Sequence, residues 1–297
     1  MSDIGALVAV LVPALLLYLL IPGGGAFLVR ARWRRFREQL RAARAARVLD
    51  YGDHAAGSDE VAMRFAGRLE AMEGDGSLWI GDGRLSVLVH LARVPVYLMS
   101  GPVEGSVEGP DHPPRVLFWK DLTALAEGTP VLVFGRVEEA DGTFVFGAHG
   151  SDRPLVILHD GRAEQLIRRA LWAGRQRNEF WNHLTPVSLL AGMVAETLLA
   201  VTIVQNHPLT AVVALVLALL PVLPLFPPGV LAFYWYRRLW RVGRRLRAQR
   251  DVRATQIPEA GFSHRAVQWE AAAVLCLLAG LGANAYLAAA LIALLLR

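Results

Sequence analysis

Hydrophobic positions fall into two patterns along the chain. Residues 4–29, 184–204, 209–236 and 271–296 are apolar runs with few interruptions, whereas residues 51–160 carry short alternating segments separated by turns. A hydrocarbon core about 30 Å thick is crossed by about 20 helical residues, so each long run predicts a membrane-spanning helix. Alternation with period two instead predicts strands that bury one face.

The alternating region resolves into segments at residues 64–70, 78–80, 85–89, 116–118, 131–137, 143–146 and 155–158, with turns at Glu73-Gly74-Asp75-Gly76, Gly81-Asp82-Gly83 and Ala140-Asp141-Gly142. About six short strands in some 110 residues suit a small closed barrel. Residues 101–114 hold four prolines and three glycines among polar neighbours and predict a long loop. The fold class expected is therefore membrane α-helical, about four transmembrane helices, with an inserted small all-β OB-like barrel. The expected divisions are an anchor and Arg-rich helix at 1–50, the barrel at 51–160 and an amphipathic juxtamembrane helix at 161–183. A helical hairpin at 184–236, a basic loop at 237–270 and a last helix at 271–297 complete them.

Composition supports the membrane class: 54% of the 297 residues are hydrophobic and the mean hydropathy is +0.37, too apolar for an ordinary soluble enzyme of this length. Only Met1-Ser2-Asp3 precedes the first run, without the positive charge of a secretory signal, so that run predicts a retained anchor. The one cysteine, Cys276, lies in the fourth run and allows neither an internal disulfide nor a cysteine-based zinc site.

Charge then orients the helices. Of 31 basic residues all but Lys120 are arginine. They gather after the first run (Arg30, Arg32, Arg34, Arg35, Arg37, Arg41, Arg44, Arg47), before the second (Arg168, Arg169, Arg175, Arg177) and after the third (Arg237, Arg238, Arg241, Arg244, Arg245, Arg247, Arg250, Arg253). Basic residues near span ends stay in the cytoplasm, which predicts both termini outside and the barrel inside. Trp33, Trp172, Trp181, Trp235, Trp240 and Trp269 fall at or near the same ends, as an interfacial belt would. Arg30, Arg32, Arg34, Arg35, Arg37, Arg237, Arg238, Arg241, Arg244 and Arg245 are expected among anionic headgroups, making membrane lipids one partner.

Residues 122–137 contain a Gly-x-Pro-Val turn feeding a strand that ends in Gly-x-Val, a pattern that resembles part of an OB-type barrel. Such barrels often bind nucleic acid through basic grooves. Here residues 51–160 carry eight basic and seventeen acidic side chains, a net of −9 by subtraction, which would repel a polyanion. No nucleic-acid partner is expected, and a protein partner is. The order of parts also resembles the intermembrane domain of membrane-anchored E3 ligases of the GIDE type: one span, an insertion, the run Pro154-Leu155-Val156-Ile157-Leu158, a helix over residues 162–177, then a second span. The likeness covers roughly residues 127–193. Those ligases end in a cysteine-rich RING, whereas this chain continues with apolar runs and a lone cysteine, so the resemblance implies an interaction or sensing domain without ligase activity. It also implies a bacterial relative, hence an inner-membrane location.

No histidine pair has the spacing of a helical zinc site, and no Gly-x-Ser-x-Gly elbow or phosphate-binding loop occurs. His149 and His159 could approach each other across strands. No cofactor or metal is expected, and no catalytic residue. Gly23-Gly24-Gly25 after Pro22 predicts a kink or flexible joint. Pro221, Pro224, Pro227 and Pro228 predict a third run bent or broken toward its inner half.

Glu196 is the polar residue of most interest. It lies twelve residues past Leu184, about 18 Å along a helix, with no arginine or lysine at matching depth. It is therefore expected to be protonated and hydrogen-bonded. Asn284, on a stripe with Gly280, is its candidate partner, and Gly192 one turn before Glu196 would let helices approach. Two roles stand open for Glu196: a bond between helices, or a protonatable or ion-binding site. The functional expectation is a non-enzymatic membrane protein presenting the barrel to another protein; the alternative is a transporter or channel component using Glu196.

Overall fold

The computed structural model of the chain describes residues 3–52, 62–74, 76–91, 94–99, 114–122, 125–147, 153–160, 163–176, 180, 182–253 and 260–295. They divide into two compact units, Trp33–Arg177 and the pair of segments Met1–Arg32 and Asn178–Arg297. The expected loop at 101–113 lies outside the described residues, as do His149, Trp181 and Arg177.

In the first unit, the described strands are β1 (Ala62–Glu73), β2 (Ser77–Gly81), β3 (Ser86–His90), β4 (Val96–Met99), β5 (Arg115–Leu117), β6 (Pro130–Ala140), β7 (Thr143–Phe146) and β8 (Leu155–His159). Five of them close a barrel in the order β1-β2-β3-β7-β6 and back to β1. The pairing of β3 with β7 is parallel and the others are antiparallel. At eleven residues β6 is long enough to pair with β8 through residues 131–134 and with β7 through residues 137–140, while β1 takes its other edge. β8 carries the sheet out of the barrel to β4 and then β5. β4 escaped the sequence reading because it is four residues long and follows Pro95, which masks its alternation.

Phe65, Leu78, Ile80, Val87, Val89, Val131, Val133, Phe144, Phe146, Val156 and Leu158 fill the barrel core. Gly67 is required there, since a Cβ would run into the carbonyl oxygen of Gly81 on β2.

The same unit contains the end of helix α2 (Ile21–Ala45) and helix α3 (Ala163–Gln176). Trp33, Phe36, Leu40 and Ala43 repeat at spacings of three and four, and all are buried, so this part of α2 is a core helix with one apolar stripe. Trp33 and Phe36 meet Tyr97 of β4, with ring centroids 6.1 and 4.2 Å away. α3 buries Leu166, Ile167, Ala170, Leu171, Trp172 and Ala173, and Gly174 lies against the Phe36 ring. Two expectations are corrected here. Arg37 is 6% exposed and does not sit among headgroups, and Trp33 and Trp172 are packing residues of this unit instead of interfacial anchors. An arginine count carries no facing information; the stripe of apolar residues between the arginines does.

In the second unit, α1 (Asp3–Leu15), a π-helical turn (Leu16–Leu20) and the start of α2 form one continuous helix that runs antiparallel to α4 (Leu184–Ile203). The register is fixed by Asp3 beside His207, Val10 clustered with Ala200, the Tyr18 ring on Gly192, and Pro22 and Gly25 beside Asn182. Asn182 accepts from the backbone N–H groups of Leu184 and Thr185 at 3.0 and 3.2 Å, capping α4, and donates to the Pro22 carbonyl at 3.3 Å. Residues 23–25 are helical, and Gly25 is small because Asn182 fills the space a side chain would need. The irregularity lies at the π turn instead. Pro22 has no N–H for the Tyr18 carbonyl four residues back, and its ring crowds that oxygen. The helix widens there, with the Ile21 N–H bonding the Leu16 carbonyl.

The third apolar run is not one helix. It divides into α5 (Pro208–Leu219), a short 3₁₀ turn (Leu223–Leu225) and α6 (Pro227–Arg253). The break spans residues 220–226, near the middle of the run, where Pro221, Pro224, Pro227 and Pro228 cluster. Among the described residues three helices, not four, are long and apolar enough to cross a membrane: Asp3–Ala45, Leu184–Ile203 and Ser263–Leu295. α5 spans only about 18 Å.

α6 pairs along its length with α7 (Ala260–Leu295). Gly280 packs on Ala232 and Gly243 on Glu270, while Arg247 pairs with Glu270 through two nitrogens. Across this unit long side chains such as Leu19, Leu198, Leu278 and Leu291 face outward, and small ones such as Ala6, Ala14, Gly192, Ala200, Ala214 and Ala232 face neighbouring helices.

Candidate functional site

In the helical unit, Glu196 is fully buried and both carboxyl oxygens lack a hydrogen-bond partner among the described residues. Asn284 is not beside it in the bonding pattern: its side-chain amide donates to the Leu223 carbonyl at 2.6 Å, in the break between α5 and α6. The expected Glu196–Asn284 bond is thereby replaced. A break frees backbone carbonyls, and a buried amide donor is drawn to one of them. Gly229 and Gly280 supply the room, since a Cβ on Gly229 would strike Asn284 and one on Gly280 would strike Ala232.

The group that does approach Glu196 is Tyr18, which the sequence reading did not single out. Its ring lies on Gly192, one turn before Glu196 on the same face of α4. The Tyr18 hydroxyl is likewise buried without a partner. A signal existed in Pro22, four residues after a lone tyrosine in an apolar run, but it marks a helix irregularity without saying which neighbour the tyrosine faces.

The arginines expected at headgroups divide by position. Arg30, Arg32, Arg34, Arg35, Arg237, Arg238, Arg241 and Arg245 are exposed, and Arg244 is half-buried. Arg30 lies 5.5 Å from the Phe180 ring, Phe180 packs edge-on against Trp240 at 5.7 Å, and Tyr236 packs on Trp240 at 5.6 Å. Arg30 of α2 thus joins Phe180, Tyr236 and Trp240 in one aromatic and cationic cluster within the helical unit, at the end opposite Asp3 and His207.

In the barrel unit, a groove of about 770 Å³ runs beside β1 and β2. Its walls include Glu70, Asp82, Glu127, Arg68 and His159. A bulge in β1 between Leu69 and Ala71 shifts the register here. Leu69 is held across the bulge, its N–H donating to the Thr129 carbonyl and its carbonyl accepting from Gly128 N–H. Gly128 has φ +81, a conformation that favours glycine, which accounts for the Gly-x-Pro turn ahead of β6. The Glu70 carboxylate lies over Gly81 and accepts from the Ser86 hydroxyl at 2.8 Å. Arg68 donates to the Gly128 carbonyl at 3.3 Å, so its charge is partly engaged within the wall. Among the described residues no group of three or more His, Cys, Asp or Glu is placed to hold a metal.

Fold and sites together define a chain with a closed β-barrel unit and a helical unit containing helices of membrane-crossing length. Comparisons with protein-family models, curated proteins and solved structures return no match.

Proposed function

We propose that this chain is a non-enzymatic integral membrane protein whose helical unit anchors an OB-like barrel in the cytoplasm, where the barrel binds a basic segment of another protein. The observation that carries the reading is the groove beside β1 and β2, walled by Glu70, Asp82 and Glu127 on a domain of net charge −9. Barrel strand order supports the OB-type assignment: a three-strand meander, a parallel pairing of the third strand with the last, and closure through the remaining strand to the first. Carboxylates along an open groove suit an extended cationic segment and repel phosphates. The likeness to the GIDE-type intermembrane domain belongs to this reading only as an interaction role.

Membrane orientation follows the same logic. Asp3 and His207 share one end of the helical unit, and Arg30, Phe180 and Trp240 share the other. This pairing supports an inside face marked by arginine and aromatic rings, in a bacterial inner membrane.

A photoreactive amino acid at Asp82 of the full-length protein, irradiated in native membranes, tests the proposal. The expected result is a discrete protein adduct that weakens at high salt and is lost when Glu70 and Glu127 are changed to glutamine. An adduct to nucleic acid, or none that depends on the two glutamates, overturns it.

A further inference from the structure

Two ionisable groups are buried without a hydrogen-bond partner among the described residues: the Glu196 carboxyl on α4 and the Tyr18 hydroxyl on the facing π turn, whose ring rests on Gly192 one turn before Glu196. Such groups are costly unless some occupant satisfies them. Other polar side chains buried in the apolar part of this unit do find partners. Ser188 donates to the Thr185 carbonyl, Asn182 caps α4, and Asn284 bonds Leu223.

We propose that Glu196 and Tyr18 form a proton-exchange site within the helical unit, the carboxyl taking up and releasing one proton and the phenol acting as its hydrogen-bond partner. The titratable groups facing it from each element packed on α4 are few. α1 offers only Asp3, which is held at the far end by His207 at 2.6 Å, the π turn offers only Tyr18, α5 has none, and the first charge on α2 is Arg30, beside Phe180 ahead of the start of α4. No cation faces the carboxyl from these elements. Hard metal cations take six or more oxygens, and here the elements packed on α4 offer one carboxyl and one phenol. A proton needs only those two.

The balance is simple. Uptake of one proton from water turns the carboxylate into a carboxylic acid, and release reverses it; the phenol keeps its own proton and reorients it. As an anion, Glu196 accepts from the Tyr18 hydroxyl; as an acid, it can donate to the phenol oxygen. The π turn gives Tyr18 the freedom this exchange requires, because a widened turn can shift by one hydrogen-bond step and swing its side chain. Gly192 leaves the ring a bare helix surface to move over.

Infrared difference spectroscopy on the full-length protein in lipid nanodiscs tests the site. Stepping the pH should change the carbonyl-stretch band of a protonated carboxyl, and deuterium oxide should shift that band. Glu196→Gln should abolish the change, and Tyr18→Phe should retain the band but move its frequency, since only the hydroxyl is lost. The proposal is overturned by a carboxyl band that does not respond to pH while the protein stays folded, by one insensitive to Tyr18→Phe, or by a response that requires sodium. If Glu196→Gln fails to fold, Tyr18→Phe still decides, because it tests whether the responding carboxyl is bonded to this phenol.

Discussion

The two units solve the same packing problem in opposite senses. The barrel encloses Phe65, Phe144 and Phe146 and turns Glu139, Asp141 and Arg84 to solvent. The helical unit does the reverse: Leu19, Leu198 and Leu291 point outward, while Ser188, Glu196 and Asn284 lie inside. Water rewards burial of apolar area, so large side chains go inward in the barrel. An apolar solvent offers no such reward, so contact between helices depends on small residues that let backbones approach and on polar groups that need each other. The inverted pattern is the strongest physical argument for reading the helical unit as membrane-embedded.

The sharpest way to break the comparison is to delete a large apolar side chain from the barrel interior and another from the outer face of the helical unit. Phe144→Ala should destabilise the barrel by about 3–5 kcal/mol, the range for a large buried aromatic. Leu198→Ala, on the outer face of α4, should cost under about 1 kcal/mol in detergent. Amide hydrogen exchange of the full-length protein, read separately on β1 to β8 and on α4 to α7, separates the two. Comparable losses at both positions would remove the claim that the units are inverted.

Adding bulk should hurt the helical interior instead. Gly192→Val places methyls into the Tyr18 ring and is expected to cost about 1–3 kcal/mol, the scale of overpacking. The same change at Gly24, which a Cβ would leave in open space, should have little effect beyond helix propensity.

Next in size is the polar interior. Asn284→Ala should cost on the order of 1 kcal/mol by freeing the Leu223 carbonyl. Combined with Glu196→Leu, the two losses should add, because the two residues share no partner in the structure. A strong coupling energy would show that Asn284 and Glu196 meet after all. The smallest effect belongs to the exposed Arg34–Glu38 pair: Glu38→Ala should change stability by less than about 0.5 kcal/mol, with the difference fading in salt.

Much of this was legible along the chain. Long apolar runs marked the helical unit, alternation marked most strands, and the Gly-x-Pro turn at residues 128–130 marked the entry to β6. Prolines announced the break in the third run, and Glu196 stood out by depth alone. These are local signals, carried by residues close in sequence, and one chain read in isolation contains them fully.

Tertiary structure decided the rest. Whether Arg37 and Trp33 meet lipid or a β-sheet depends on Tyr97, some sixty residues away, and no periodicity within α2 reveals it. That Asn284 bonds Leu223 and that the Tyr18 ring rests on Gly192, one turn before Glu196, depends on the register between helices. Register is a sum of many small contacts from Gly192, Ala200, Ala232 and Gly280, none of which names its partner. Sequence by itself determined which residues are expensive to leave exposed or unpaired; only the fold decided which groups would satisfy them, because that choice is made by geometry between segments far apart in the chain.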